Sequence, residues 1–214
     1  MFRAAALLLL SVALVGCGAP AVQQAPPIVQ PGAPGQSGRV LTAEQAGTQQ
    51  PLRITDADVK FMQGMIGHHA QALEMTDLLE TRTKSDDMRK LAERIEVSQA
   101  DEIKMMEQWL RDHGKSVPDQ HAHHAHGATL MPGMLTPEEM SRLAAATGPE
   151  FDRLFLASMI KHHQGALVMV KDLFASPGAG QESEINRFAA DVDADQRMEI
   201  DRMAMMLASV KEKK

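Results

Sequence analysis

The stretch Phe61-Met62-Gln63-Gly64-Met65-Ile66-Gly67-His68-His69-Ala70-Gln71-Ala72-Leu73-Glu74-Met75 returns as Phe155-Leu156-Ala157-Ser158-Met159-Ile160-Lys161-His162-His163-Gln164-Gly165-Ala166-Leu167-Val168-Met169, shifted by 94 positions throughout (61 to 155, 75 to 169). Both copies keep a Met, two adjacent His and a second Met, with apolar residues between. Met65 precedes His68 and His69 by three and four positions, which makes them neighbours on a helix surface, and Met159, His162 and His163 repeat the relation. Thioether and imidazole together are the donors that soft and borderline metals prefer, copper above all. A hydrophobic core has no need of paired His, so their recurrence points to a site.

Caps and periodicity around the two copies predict helices. Thr55 with Asp58 opens one over about 56–81. Ser85-Asp86-Asp87 opens a second, which Gly114 closes near His113. Thr136-Pro137-Glu138-Glu139 launches a short helix that ends by Gly148, and Pro149-Glu150 begins a third long one that Ser176-Pro177-Gly178 stops. The fourth runs over about 182–211, and no segment alternates with period two. At 100° per residue, Met62, Met65, His69, Ala72, Leu73 and Thr76 share a face, while His68 and Met75 fall on its flank. The second helix presents Met88, Leu91, Ala92, Ile95, Gln99, Glu102, Ile103, Met106, Trp109, Leu110 and His113 on one face. The fourth repeats that face at an offset of 97, with Ile185, Phe188, Val192, Gln196, Glu199, Ile200, Met203 and Leu207. The expected fold is therefore all-α, a four-helix bundle of two repeated helical hairpins with a short extra helix between them.

Gln99, Glu102, Gln196 and Glu199 interrupt otherwise apolar stripes. A buried carboxylate is expensive unless it is paired or bound to metal. The inward candidates for a metal site are His69, His163, Met65, Met159, Glu102 and Glu199, with both Gln as supporting groups. A buried His–Glu network that merely fixes the packing would use the same residues. Between the hairpins, residues 114–135 form a His/Met-rich loop. His113, His121, His123, His124 and His126 make an accessory set suited to Cu(II), and Met131 and Met134 add soft donors for Cu(I). With 16 Met in 214 residues, the whole chain leans toward thioether.

The N-terminus sets the compartment. Arg3 and the apolar run from Ala4 to Val15 read as a secretory signal, too short to span a bilayer as a permanent helix. Leu14-Val15-Gly16-Cys17 resembles a bacterial lipobox, which makes residues 1–17 a lipoprotein signal and Cys17 the acylated first residue of the mature chain. Cys17 is the only Cys, so disulfides and thiolate sites are excluded. Residues 18–54, rich in Pro, Gly and Gln, are expected to be a disordered tether, leaving 55–212 as one domain with repeats over about 55–113 and 149–211. A net charge of −6 with no basic stripe argues against a nucleic-acid partner. The expectation is export and lipid anchoring to a bacterial membrane, facing the periplasm or the exterior.

The twin Met-Ile-x-His-His segments, each followed by a helix carrying Gln-x-x-Glu-Ile, resemble the bacterial "domain of unknown function 305" family over roughly residues 55–210. The resemblance implies a ferritin-like bundle, usually exported, with some relatives tied to copper binding and tolerance. It carries over Met65, His68, His69 and Met75, and Met159, His162, His163 and Met169, as the matching positions. The His-rich loop is not part of that pattern. The resulting expectation is a copper-binding envelope lipoprotein, a buffer or chaperone preferring Cu(I), exchanging metal with a copper donor or acceptor protein and open to homodimer formation. Two alternatives stay open: a ferritin-like di-iron or di-manganese oxidoreductase, and a structural lipoprotein with no metal role. The first lacks the Glu-x-x-His pairs that such centres use, so an enzyme is the weaker expectation.

Overall fold

The computed structural model describes residues 27–48, 53–124 and 129–212; the signal segment, Cys17 and His126 lie outside them, and of His123 only the backbone is described. In chain order the elements are β1 (Ile28–Gln30), β2 (Arg39–Leu41), α1 (Ala43–Thr48), α2 (Asp56–Asp77), α3 (Leu79–Arg82), α4 (Asp86–Asp112), a 3-10 turn (Ala122–His124), α5 (Pro137–Ala145), α6 (Gly148–Ala175) and α7 (Ser183–Glu212). The helix starts follow their caps. The Thr55 hydroxyl accepts from the Asp58 N–H at 3.2 Å while the Thr55 N–H donates to Asp58 at 2.7 Å. The other Asp58 oxygen accepts from the Gly180 N–H at 2.7 Å, so the cap of α2 also holds the α6–α7 connection. Thr136 and Glu139 form a second capping box at α5.

The four long helices bury their stripes in two apolar clusters. One contains Phe61, Met62, Met65 and Ile66 from α2, Ile103, Met106, Trp109 and Leu110 from α4, Ala166, Val170 and Leu173 from α6, and Ile185, Phe188 and Val192 from α7. The other contains Ala72 and Met75, Met88, Leu91 and Ile95, Phe151, Phe155 and Met159, and Met203. Every long helix contributes to both, and each is interrupted at mid-length by buried polar residues: His68 and His69, Gln99 and Glu102, His162 and His163, Gln196 and Glu199. The molecule is thus an all-α bundle whose core is cut in two by a polar layer.

The order in which each helix meets the clusters gives its direction. α2 and α7 run one way, α4 and α6 the other. The connection from α4 to α6 must therefore travel the length of the bundle, which for the 27 residues of α4 is about 40 Å. It does so over α2 and α6. Gln63 donates to the Ser116 carbonyl at 2.8 Å, His68 Nε2 lies 3.0 Å from the Pro132 carbonyl, and Gln71 clamps Leu135 through both backbone groups, at 3.0 and 2.7 Å. We call residues 129–135 the strap.

Two expectations are corrected. Within 18–54, the described residues 27–48 are not featureless: β1 and β2 pair antiparallel, Val29 opposite Val40, and α1 follows. β-branched residues flank a Pro/Gly-rich turn with Gly35 at φ +74°, Leu41 is buried, and Gln30 bonds Gln181 at 3.1 Å. Strands of three residues are too short to show a period. The first helix also breaks at Leu78 rather than running to 81, and Gly148 opens α6 after α5 has ended at Ala145.

Gly165 allows the strap to lie flat on α6, because a Cβ there would collide with the Pro132 carbonyl. Gly165→Ala is expected to lower stability by about 1–3 kcal/mol, read as a fall in the urea midpoint. An unchanged midpoint would mean that the strap is not seated as described.

Candidate metal centre

The paired His of the repeat sit at the centre of the polar layer, each 0% exposed. They divide into two kinds. His69 and His163 turn toward the second helix of their own hairpin, where His69 Nε2 meets Glu102 at 2.5 Å and His163 Nε2 meets Glu199 at 2.6 Å. His68 and His162 face each other across the α2–α6 interface, ring centroids 3.8 Å apart. The flank on which the sequence places His68 is thus neither solvent nor a surface for a partner; it is the seam between the two halves, roofed by the strap through the Pro132 carbonyl.

A carboxylate accepts, so the Nε2 of His69 and of His163 is the protonated, donating nitrogen. Nδ1 is then the lone-pair atom in the neutral ring. His69 Nδ1 and His163 Nδ1 have no hydrogen-bond partner among the described residues, and both are shut away from water. The His162 ring likewise makes no hydrogen bond of acceptable geometry. Burial pushes its pKa well below the ordinary histidine value, and the neighbouring His68, His163 and His69 push it further, with only the His68 backbone opposing. Gln99 adds two unpartnered amide atoms and Gln196 a carbonyl oxygen. Buried polar atoms are nearly always satisfied. A layer with this many buried polar atoms left without a partner among the described residues has the character of a ligand set.

Thioethers bracket the layer. Met65 lies in the first apolar cluster with Met169 packed against it, and Met75 and Met159 lie together in the second. Each bracket therefore draws one Met from each half. Met131 of the strap joins the first: its sulfur and the Met169 methyl both lie against Gly64, at 3.2 and 3.3 Å from where a Cβ would stand. Met134 is buried at 3% exposure in the strap itself. The carboxylates reach an edge of the layer that meets solvent, with side-chain exposures of 11% for Glu102 and 8% for Glu199. A groove lined by Leu91, Arg94, Met198, Glu199, Arg202 and Met205 opens there. Burial, then the nearby Glu102, Glu199 and Asp191, raise the Asp195 carboxyl above its ordinary pKa, with Arg94 opposing.

The His-rich loop divides. His121 Nδ1 and His124 Nε2 converge on one Glu74 oxygen at 3.0 and 2.7 Å. His113 stands apart, stacked on Trp109 with ring centroids 4.3 Å apart and donating to the Trp109 carbonyl at 2.8 Å; it serves the end of α4. Sequence reasoning missed Glu74, Gln71 and Gly165. A signal was available for the last two, because Gln71 and Gly165 occupy the same place in the repeat and differ. One clamps the strap and the other makes space for it.

The sequence profile of the family described as "Domain of unknown function (DUF305)" matches residues 58–207. A DUF305 protein of Streptomyces coelicolor, assigned as secreted, is 31% identical with a TM-score of 0.63, over 72% of this chain and 94% of that one. A DUF305 fragment from Deinococcus radiodurans is also 31% identical, TM-score 0.63, over 73% and 98%. CopM in its Cu(II)-bound form is 28% identical, TM-score 0.59, over 71% and 96%, and CopM has also been solved with Cu(I) and with silver. None of the curated proteins compared matches the chain.

His162 gives the metal-free protein an acid-labile centre. The unfolded chain takes up this proton near pH ~6.5, and the folded protein only at lower pH. Stability therefore falls as pH drops below that value, by at most ~1.4 kcal/mol per unit from this one group. Urea midpoints between pH 7.5 and 5 should decline, and His162→Asn should flatten the decline.

Proposed function

The chain belongs to the DUF305 family, and from that premise and the buried His/Met layer we propose that it is an exported copper-binding protein that holds Cu(I) at the centre of its bundle. The observation that carries this is the orientation of His69 and His163. In each, a carboxylate holds Nε2–H and leaves Nδ1 bare in a buried layer bracketed by thioethers. Metal-ligating imidazoles are held in this way, with a carboxylate on the far nitrogen fixing tautomer and ring orientation. Glu102 and Glu199 thus act on the imidazoles rather than on the ion. His68 and His162 complete the nitrogen donors, with Met65 and Met159 one helical turn away and Met75 and Met169 at the second thioether positions. Bound copper would supply a soft Lewis acid that neutral nitrogen and sulfur donors suit; the chain's own part is to keep those donors neutral, dry and aligned.

CopM, crystallised with copper in both oxidation states and with silver, supports the metal. The engagement of both core carboxylates with imidazoles weighs against a carboxylate-bridged iron or manganese centre, which would need them on the metal. Imidazole donors that are fully buried suit storage, buffering or hand-over to a donor or acceptor protein rather than turnover. Among the described residues no helix is long and apolar enough to cross a membrane. Acylation at Cys17 would hold the protein at the membrane surface.

Competition for Cu(I) with a chromophoric chelator tests the assignment. His68, His69, His162 and His163 changed together to Ala should abolish tight Cu(I) binding. Glu102→Gln and Glu199→Gln should each weaken it by about 10–100-fold. Undiminished affinity in the quadruple variant would make the buried His structural.

A further inference from the structure

Outside the bundle centre, three metal-binding side chains from two distant parts of the chain meet at the surface. Glu74 comes from the last turns of α2, while His124 ends the 3-10 turn of the crossover connection and His121 immediately precedes it. One ligand atom from each lies within 4.8 Å of the other two. We propose that Glu74, His121 and His124 form a second metal site, selective for a borderline divalent cation, Cu(II) foremost, and independent of the buried layer.

The geometry is built rather than incidental. The turn closes on itself, with His124 N–H donating to the His121 carbonyl at 2.9 Å and Ala122 N–H to the Asp119 carbonyl at 3.1 Å. The Asp119 side chain accepts from the His121 N–H at 2.9 Å, and Gln120 donates to Glu107 of α4 at 2.8 Å. The backbone carrying the two rings is therefore anchored to the bundle before any ion arrives. A spacing of three in a 3-10 turn puts both side chains on the same side, and the rings lie 5.9 Å apart and 22° from parallel. Both direct a ring nitrogen at the same Glu74 oxygen. In the metal-bound state those nitrogens give up their protons and the cation takes the position between them and the carboxylate.

The donor types choose the ion. Two imidazoles and one carboxylate form a three-ligand N2O set with open positions toward solvent, the pattern of Cu(II), Ni(II) and Zn(II), among which affinity rises to Cu(II). A carboxylate oxygen is a poor ligand for Cu(I), and the set contains no thioether. The buried layer has the opposite character, with thioethers present and its carboxylates turned onto imidazoles. The chain thus carries two sites matched to two charge states of one metal. Glu74 is the decisive member. It is the member that ties the two exposed imidazoles to a long helix of the bundle.

The site is tested on the chain from residue 18 onward, titrated calorimetrically with Cu(II) alone and with Zn(II) alone. The expected result is one Cu(II) bound at this site, weakened at least tenfold by Glu74→Gln and at least as much by His121→Ala with His124→Ala, and Zn(II) binding more weakly with the same dependence. His121 and His124 are exposed and Glu74 lies half-buried at the edge of the bundle, outside both apolar clusters, so the variants keep the fold. Loss in the His variant with full affinity in Glu74→Gln would overturn the proposal, because the His tract would then chelate without the helix. Parent-like affinity in both variants, or no Cu(II) binding, would overturn it too. Cu(I) affinity measured in the same samples reports on the buried layer separately, so either reading can fail without the other.

Discussion

The hydrogen bond from each inner imidazole to its carboxylate, His69 to Glu102 and His163 to Glu199, is the interaction on which the middle of this protein depends. Four helices pack their apolar stripes above and below a layer of four His, two Glu and two Gln. Replacing such a layer with well-packed apolar residues is often neutral or stabilising. Removing one member instead leaves its partner buried and unsatisfied, at a cost of several kcal/mol. A polar layer built twice, once in each half, is therefore poorly explained by stability. It is well explained by a ligand set whose tautomers must be fixed before an ion arrives.

Topology gives the same layer its roof. Because α4 and α6 run in the same direction, the chain between them must cross the bundle lengthwise and pass the layer on the way. The two halves of the repeat differ where this strap lies. Gln71 holds it through Leu135, Gly165 leaves it room against Pro132, and Gly133, at φ +79°, turns it between those contacts. His68 is bonded to the strap and His162 is not, so the pseudo-symmetric pair is chemically unequal. Opening the layer from this side requires moving the strap. The opposite edge, at Glu199, opens on a groove where Arg94 and Arg202 stand beside Glu199 and Asp201.

Much of this was legible in the sequence. Capping boxes at Thr55 and Thr136 announce helix starts, and the 3.6-residue period identifies the inner faces, Gln99, Glu102, Gln196 and Glu199 among them. The duplicated Met-Ile-x-His-His segments give both the bundle and its candidate ligands. Leu73 and Ile200, assigned to inner faces, are only half-buried, because a stripe fixes direction better than depth. The part that stayed hidden depends on contacts between distant residues. No pattern along the chain shows that Glu74 meets His121 and His124, or that His68 lies against His162. The short β1–β2 hairpin escaped for a different reason, since three residues carry too little periodicity to separate it from a linker.

The central claim is atomic: the metal-binding nitrogen of His69 and His163 is Nδ1, held ready by a carboxylate on Nε2. Long-range 15N–1H correlation spectra of the histidine rings, recorded before and after addition of one equivalent of Cu(I), test it directly. The account predicts that both rings are neutral Nε2–H tautomers without metal, and that Nδ1 alone moves to a metal-bound position while Nε2 keeps its proton. Copper binding that leaves the Nδ1 resonances in place, or that shifts Nε2 instead, would contradict it.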